Sequence, residues 1–155
     1  MSEAAEKIDS GQREIVTFRI ADQDYCIDIG LVREIRGWTP TTVLPQSPVY
    51  IKGVMNLRGT VLPVVDLAQR LGLGETEPDG RHVIIIAHLG SRTVGLLVEA
   101  VSDITSVPQS ELKPTPDVAS MDAKAFVEGV FTVDDHLIRV IDLKHILPHD
   151  EGDRE

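Results

Sequence analysis

Apolar and polar residues alternate with a period of two at Val16, Phe18 and Ile20 against Thr17 and Arg19, and again at Tyr25, Ile27 and Ile29 against Cys26 and Asp28. A pleated strand sends successive side chains to opposite faces, so each run predicts a half-buried strand. The polar stretch Ala21-Asp22-Gln23-Asp24 supplies the turn that joins them as antiparallel neighbours. Beyond the second run, Leu31, Val32 and Ile35 are spaced for one or two turns of helix rather than for a strand. Residues 53–57 and 60–65 flank Arg58-Gly59, where glycine takes a positive φ without a Cβ clash, and they predict a second hairpin. Asp66 then precedes Leu67, with Gln69 three residues on. That is an N-cap with a partial capping box, for a short helix that Gly72 ends.

The same plan returns later in the chain. Residues 53–71 align with 129–147 without a gap, so that Gly53, Val54, Val64, Asp66, Leu67 and Leu71 meet Gly129, Val130, Val140, Asp142, Leu143 and Leu147. The opening hairpin recurs at another offset, with Ile20, Ile27, Ile29, Val32 and Ile35 meeting Leu89, Leu96, Val98, Val101 and Ile104. The second copy has a longer middle connection at residues 108–128, where Pro108, Pro114 and Pro116 oppose a long regular strand and predict a surface loop. The run from His82 to Leu89 is almost wholly apolar and predicts a strand covered on both faces. Short strands punctuated by Gly and Pro, without helical crossovers, predict an all-β fold with short helices, built as a pair of small barrels. The expected division is a solvated tail at 1–12, one domain at 13–147 made of modules at about 13–75 and 76–147 with room for strand exchange between them, and an acidic tail at 148–155.

Composition narrows the function. The 155 residues include 42% hydrophobic residues but only six aromatics, so aliphatic side chains must fill the core. A net charge of -10 repels nucleic-acid phosphates and anionic lipid, which are bound through clustered Lys and Arg. No direct membrane or nucleic-acid binding is therefore expected. No apolar run approaches a membrane span, the N-terminus is polar and acidic, and the single cysteine, Cys26, has no partner for a disulfide or zinc cluster. These features fit the cytoplasm.

The residues that carry chemistry form no constellation. His82, His88, His136, His145 and His149 lack ligand spacing, and Pro148 interrupts the last pair, so they read as surface histidines. Neither a phosphate-cradling glycine loop nor the signature of an activated thiol is present. Asp66 and Asp142 occupy the same place in the two copies, before a short helix, where capping accounts for both. No catalytic residue, metal or cofactor is expected, and protein partners are.

At Ile51-Lys52-Gly53-Val54-Met55-Asn56-Leu57-Arg58-Gly59-Thr60-Val61-Leu62-Pro63-Val64-Val65-Asp66-Leu67 the chain closely resembles the coupling proteins of bacterial chemotaxis, the CheW family. The likeness extends to Tyr25-Cys26-Ile27-Asp28-Ile29, to Val32-Arg33-Glu34-Ile35-Arg36-Gly37 and to Val94-Gly95-Leu96-Leu97-Val98, covering about residues 13–147. The resemblance implies two SH3-like five-stranded β-barrel modules packed together. It also implies an adaptor, without enzymatic activity, that joins the cytoplasmic tips of chemoreceptors to the histidine kinase CheA and is recruited to receptor arrays through these partners. A coupling protein of a related array, such as one for surface motility, would share the fold. The positions matching Glu34 and Arg58 are implicated in partner binding, and an ion pair between them is expected to fix the hairpin tip against the short helix, with Val32 and Gly53 beside it. The resemblance further implies a receptor groove between the modules at Val32, Gly53, Val101 and Ile104, and a kinase-facing edge near Val83.

Overall fold

The computed structural model describes residues 11–115 and 125–147. The solvated tails expected at 1–12 and 148–155 lie outside these residues, except for Gly11 and for Gln12, which opens the first strand. The first repeat contributes β1 (Gln12–Ile20), β2 (Gln23–Asp28), β3 (Val32–Gly37), β4 (Ile51–Leu57), β5 (Thr60–Asp66) and helix α1 (Leu67–Arg70). The second contributes β6 (Val83–Leu89), β7 (Arg92–Val98), β8 (Ala100–Pro108), β9 (Val127–Val133), β10 (His136–Ile141) and α2 (Leu143–Ile146). The fold is all-β with short helices.

The strands form two five-stranded sheets, in the orders β8-β1-β2-β10-β9 and β3-β6-β7-β5-β4. Each repeat thus places its opening hairpin in the sheet that holds the rest of the other. The parallel pairs β2–β10 and β5–β7 join strands of different repeats. A cluster including Val16, Phe18, Ile27, Ile85, Leu96, Leu143 and Ile146 draws on both sheets and forms the main core. Each sheet also curls over its own smaller cluster, with Ile15, Cys26 and Phe131 in the first and Met55, Leu62, Ile84 and Ile86 in the second. β1 and β2 are therefore not half-buried: Ile15, Thr17 and Cys26, on the face read as polar, are covered by the first sheet's own cluster or its edge strand. β6 is covered on both faces, Ile85 and Ala87 facing the main core and Ile84 and Ile86 the smaller cluster.

The helix expected at Leu31, Val32 and Ile35 is instead a single 3-10 turn at Ile29–Leu31 followed by strand β3. The reason lies in a bulge. Pairing with β6 shifts register between Val32 and Glu34, so Val32 opposes Ala87 and Ile35 opposes Ile85 on one face. A spacing of three looks helical but here belongs to a strand with one extra residue. The second repeat has the same irregularity: Val101 opposes Phe18 and Ile104 opposes Val16, again on the main-core side.

The ladders leave each sheet open between its end strands. The chain beyond β3 returns to touch β4 at the Thr42–Val54 bridge, and the chain beyond β8 touches β9 at the matching Lys113–Val130 bridge. Both crossings require glycine. A methyl group at Gly53, where φ is 150°, would lie 2.4 Å from the Thr42 carbonyl oxygen, and one at Gly129 would lie 2.7 Å from that of Lys113. Of the long loop expected at 108–128, residues 116–124 lie outside the described residues, and strands and a turn take up part of the rest. β8 runs to Pro108, a 3-10 turn spans Gln109–Glu111, and Val127 and Glu128 already belong to β9.

Candidate partner-binding surface

The β4–β5 hairpin turns at Arg58 (φ 51°) and Gly59 (φ 89°). Two positive values define the tight turn that matches strand twist, and the Gly59 amide donates to Asn56 Oδ1 at 2.9 Å to hold it. The tip reaches across the open side of its sheet to β3. There Arg58 Nη2 donates to Glu34 Oε1, while Arg36 Nη1 donates to Glu34 Oε2 at 3.1 Å. The expected ion pair is present, though it anchors the tip to a strand and not to a helix. These two arginines, Arg58 first, hold the Glu34 carboxyl below its ordinary value of 4.5.

The second repeat lacks this device. Its tip carries Asp134 and Asp135 at φ 50° and 67°, and the position matching Glu34 is Asp103, whose Oδ1 accepts from the Ile104 amide at 2.8 Å. The backbone turn is copied and the charge pairing is not.

The other sequence-predicted residues are spread more widely. Val32, Val83 and Val101 are part-buried against the main core, Val32 and Val83 at opposite ends of the β3–β6 ladder. Gly53 is buried beneath Thr41 and Thr42, which gives it a structural reason of its own. Ile104 stands 56% exposed on β8, and its repeat counterpart Ile35 is 42% exposed on β3.

Arg70 was not singled out in the sequence, yet it joins the repeats. Its guanidinium lies 4.0 Å from the Tyr50 ring centroid and 4.8 Å from that of Phe126. It also donates from Nε to the Ile146 carbonyl at 3.2 Å and from Nη2 to that of His145 at 3.1 Å, at the end of α2. A cation between two aromatic faces at a helix C-terminus is favoured by both ring quadrupoles and the helix dipole. The signal was available, because Arg70 faces Ile146 in the repeat alignment and Tyr50 faces Phe126 three residues before the aligned block.

Capping divides the two aspartates. Asp66 is buried, and its side chain accepts from the Gln69 amide (3.4 Å), the Thr76 amide (2.7 Å) and Thr76 Oγ1 (2.7 Å). Asp142 makes no side-chain cap and is paired with His145 Nδ1 at 2.8 Å. A histidine three residues along offers the carboxylate a closer partner than the helix amides. Nor are all the histidines on the surface, since His82 and His88 are part-buried. The Cys26 thiol is buried and pushed up to about 12 by desolvation. Among the described residues no group of three or more His, Cys, Asp or Glu is placed to hold a metal ion, and no helix is long and apolar enough to cross a membrane.

Two interleaved β-repeats, of which the first alone has its hairpin-tip Arg58 ion-paired to Glu34, define a duplicated all-β domain. The chain belongs to the CheW-like domain family, which it matches over residues 14–151. It is 48% identical to the chemotaxis protein CheW of Rhizobium meliloti (strain 1021) over 151 residues, 97% of each chain. The scaffolding protein TtCheW from Thermoanaerobacter tengcongensis has the same fold, with a TM-score of 0.80 and 34% identity over 89% of each chain. Protein FrzA of Myxococcus xanthus is 30% identical over 105 residues, 68% of this chain and 66% of that one.

Proposed function

We propose that this chain is a non-catalytic chemotaxis adaptor that couples the cytoplasmic tips of chemoreceptors to the histidine kinase CheA. The observation that carries this reading is the CheW-like domain over nearly the whole chain, combined with a tethered, exposed Arg58 on one repeat only. The buried Cys26, with its raised thiol, is not placed to act as a nucleophile. The adaptor acts in the cytoplasm and reaches the membrane through its partners.

The receptor contact is assigned to the side of Val32, Gly53, Val101 and Ile104, and the kinase contact to the edge near Val83. Support comes from the bulges in β3 and β8, which turn Val32 and Ile35, and likewise Val101 and Ile104, toward the space between the sheets. Exposed Ile104 and Ile35 leave apolar surface there for a partner. A fully buried Ile or Leu contributes about 1.5–3 kcal/mol, so the core secures the fold without help from a surface ion pair worth about 0–1 kcal/mol. Glu34 and Arg58 are therefore assigned to orientation and docking. Likeness to Protein FrzA, which carries a name other than CheW, favours as a second reading the same adaptor role in a different receptor and kinase array.

Reconstitution decides between adaptor and bystander. The purified chain, added to a CheA-type kinase and receptor fragments, should bring kinase autophosphorylation under receptor control. Absence of both binding and effect would overturn the proposal.

A further inference from the structure

The Glu34 carboxylate is gripped at both oxygens, and only one grip comes from the hairpin tip. Arg36 stands two residues further along β3, so its side chain leaves the strand on the same face as Glu34. Glu34 opposes Ile86 and Arg36 opposes Ile84, both on the side of the smaller inner cluster. Arg36 occupies this place at a cost, because its Nε is buried and has no hydrogen-bond partner. Native proteins leave few such donors unmet, and losing a donor's hydration outweighs what an ordinary hydrogen bond returns. An apolar side chain of similar reach would cover the same cluster without that loss.

We propose that Arg36 is a positioning residue: it fixes the Glu34 carboxylate, and Glu34 in turn holds the exposed Arg58 at one place on the hairpin tip. The purpose of this clamp rests on the adaptor function proposed above, since a fixed surface guanidinium serves a docking partner and not the core. Arg58 is 68% exposed, and ordering two long side chains for one exposed pair returns little. A carboxylate already oriented by Arg36 reduces that ordering cost, as preorganisation does in any binding site. Two arginines against one glutamate also leave a local positive charge on a chain of net charge -10, which suits a partner that offers a carboxylate. In the second repeat the three matching positions hold Asp103, Thr105 and Asp134, so the whole device is replaced together.

The test follows the Glu34 side-chain carboxyl by NMR against pH in the native chain, Arg36→Met and Arg36→Lys, alongside binding to kinase and receptor fragments. Arg36→Met should move the Glu34 midpoint toward the ordinary value and weaken binding about 2- to 5-fold. It should also shrink the effect of Arg58→Gln, and leave Tm unchanged or higher because the unmet donor is gone. Arg36→Lys restores charge without the planar fork and should recover only part of the affinity. An unchanged Glu34 midpoint would overturn the clamp. So would losses from Arg36→Met and Arg58→Gln that add in full, because Arg36 would then act on the partner by itself. If the native chain bound neither fragment, the adaptor reading would fall and the titration would still decide the clamp.

Discussion

The two hairpin tips of this molecule share a backbone and differ in everything that faces solvent. Arg58 and Asp134 sit at φ 51° and 50°, each at the apex of a hairpin with a glycine at the matching place on its first strand. In the first repeat the tip is tied to β3 through Glu34. In the second, an aspartate replaces each member of the pair. Duplication preserves what the fold needs, such as the Gly53 and Gly129 crossings and the carbonyls of Tyr50 and Phe126, which accept from the Asp66 and Asp142 amides. It releases what the fold does not need, and a charged tip is free to acquire a partner.

The frame can be broken first. Gly53→Ala should cost about 2–5 kcal/mol, from the clash with the Thr42 carbonyl and from a strained φ, and Gly129→Ala about 1–3 kcal/mol from the clash alone. Urea unfolding of both variants measures this, and a negligible loss at either glycine would refute the shared-crossing account. Arg70→Met should cost about 1–3 kcal/mol, because it removes the ring stacking and two charge-assisted hydrogen bonds. Hydrogen exchange should then quicken at α2 more than at β1. Equal change at both would argue against a local tie between the repeats.

Smaller changes sharpen the contrast. Asp134→Arg gives the second repeat an arginine at the position matching Arg58, with Asp103 at that matching Glu34, and should raise stability by about 0–1 kcal/mol, a gain that high salt removes. Destabilisation would mean that the two tips are not equivalent. The smallest effect is that of pH. With its folded value lowered, Glu34 keeps the pair ionised at neutral pH and gives it up only as pH falls through that lowered value. The native chain should therefore lose more stability than Glu34→Gln between about pH 5 and pH 3, by a margin small enough to need paired melting curves.

Much of this was legible in the sequence. Strict alternation and the turns at Ala21-Asp22-Gln23-Asp24 and Arg58-Gly59 marked the hairpins, and the repeat at its two offsets marked the second set of strands. The bulges at Val32–Glu34 and Val101–Asp103 were not legible, because one extra residue turns a period of two into a spacing that imitates a helix. The double coverage of β1 and β2 was hidden for a similar reason: Thr17 and Cys26 are small enough to be buried without looking apolar. Of the candidate site, the Glu34–Arg58 pair came with the family resemblance. Arg36 did not, since a buried guanidinium nitrogen depends on contacts that only folding creates, and Arg70, though it stands out against Ile146 in the repeat alignment, was not singled out.

The central claim is that the Glu34–Arg58 tip, which only the first repeat carries, serves partner docking. Its most direct measurement is the affinity of the native chain, Arg58→Glu and Asp134→Arg for CheA-type kinase and receptor fragments, with Tm recorded for each. Arg58→Glu should lose affinity for at least one partner while Asp134→Arg does not, with Tm nearly unchanged in both. Equal affinity across all three proteins, or a loss at Arg58→Glu that only follows a fall in Tm, would contradict it.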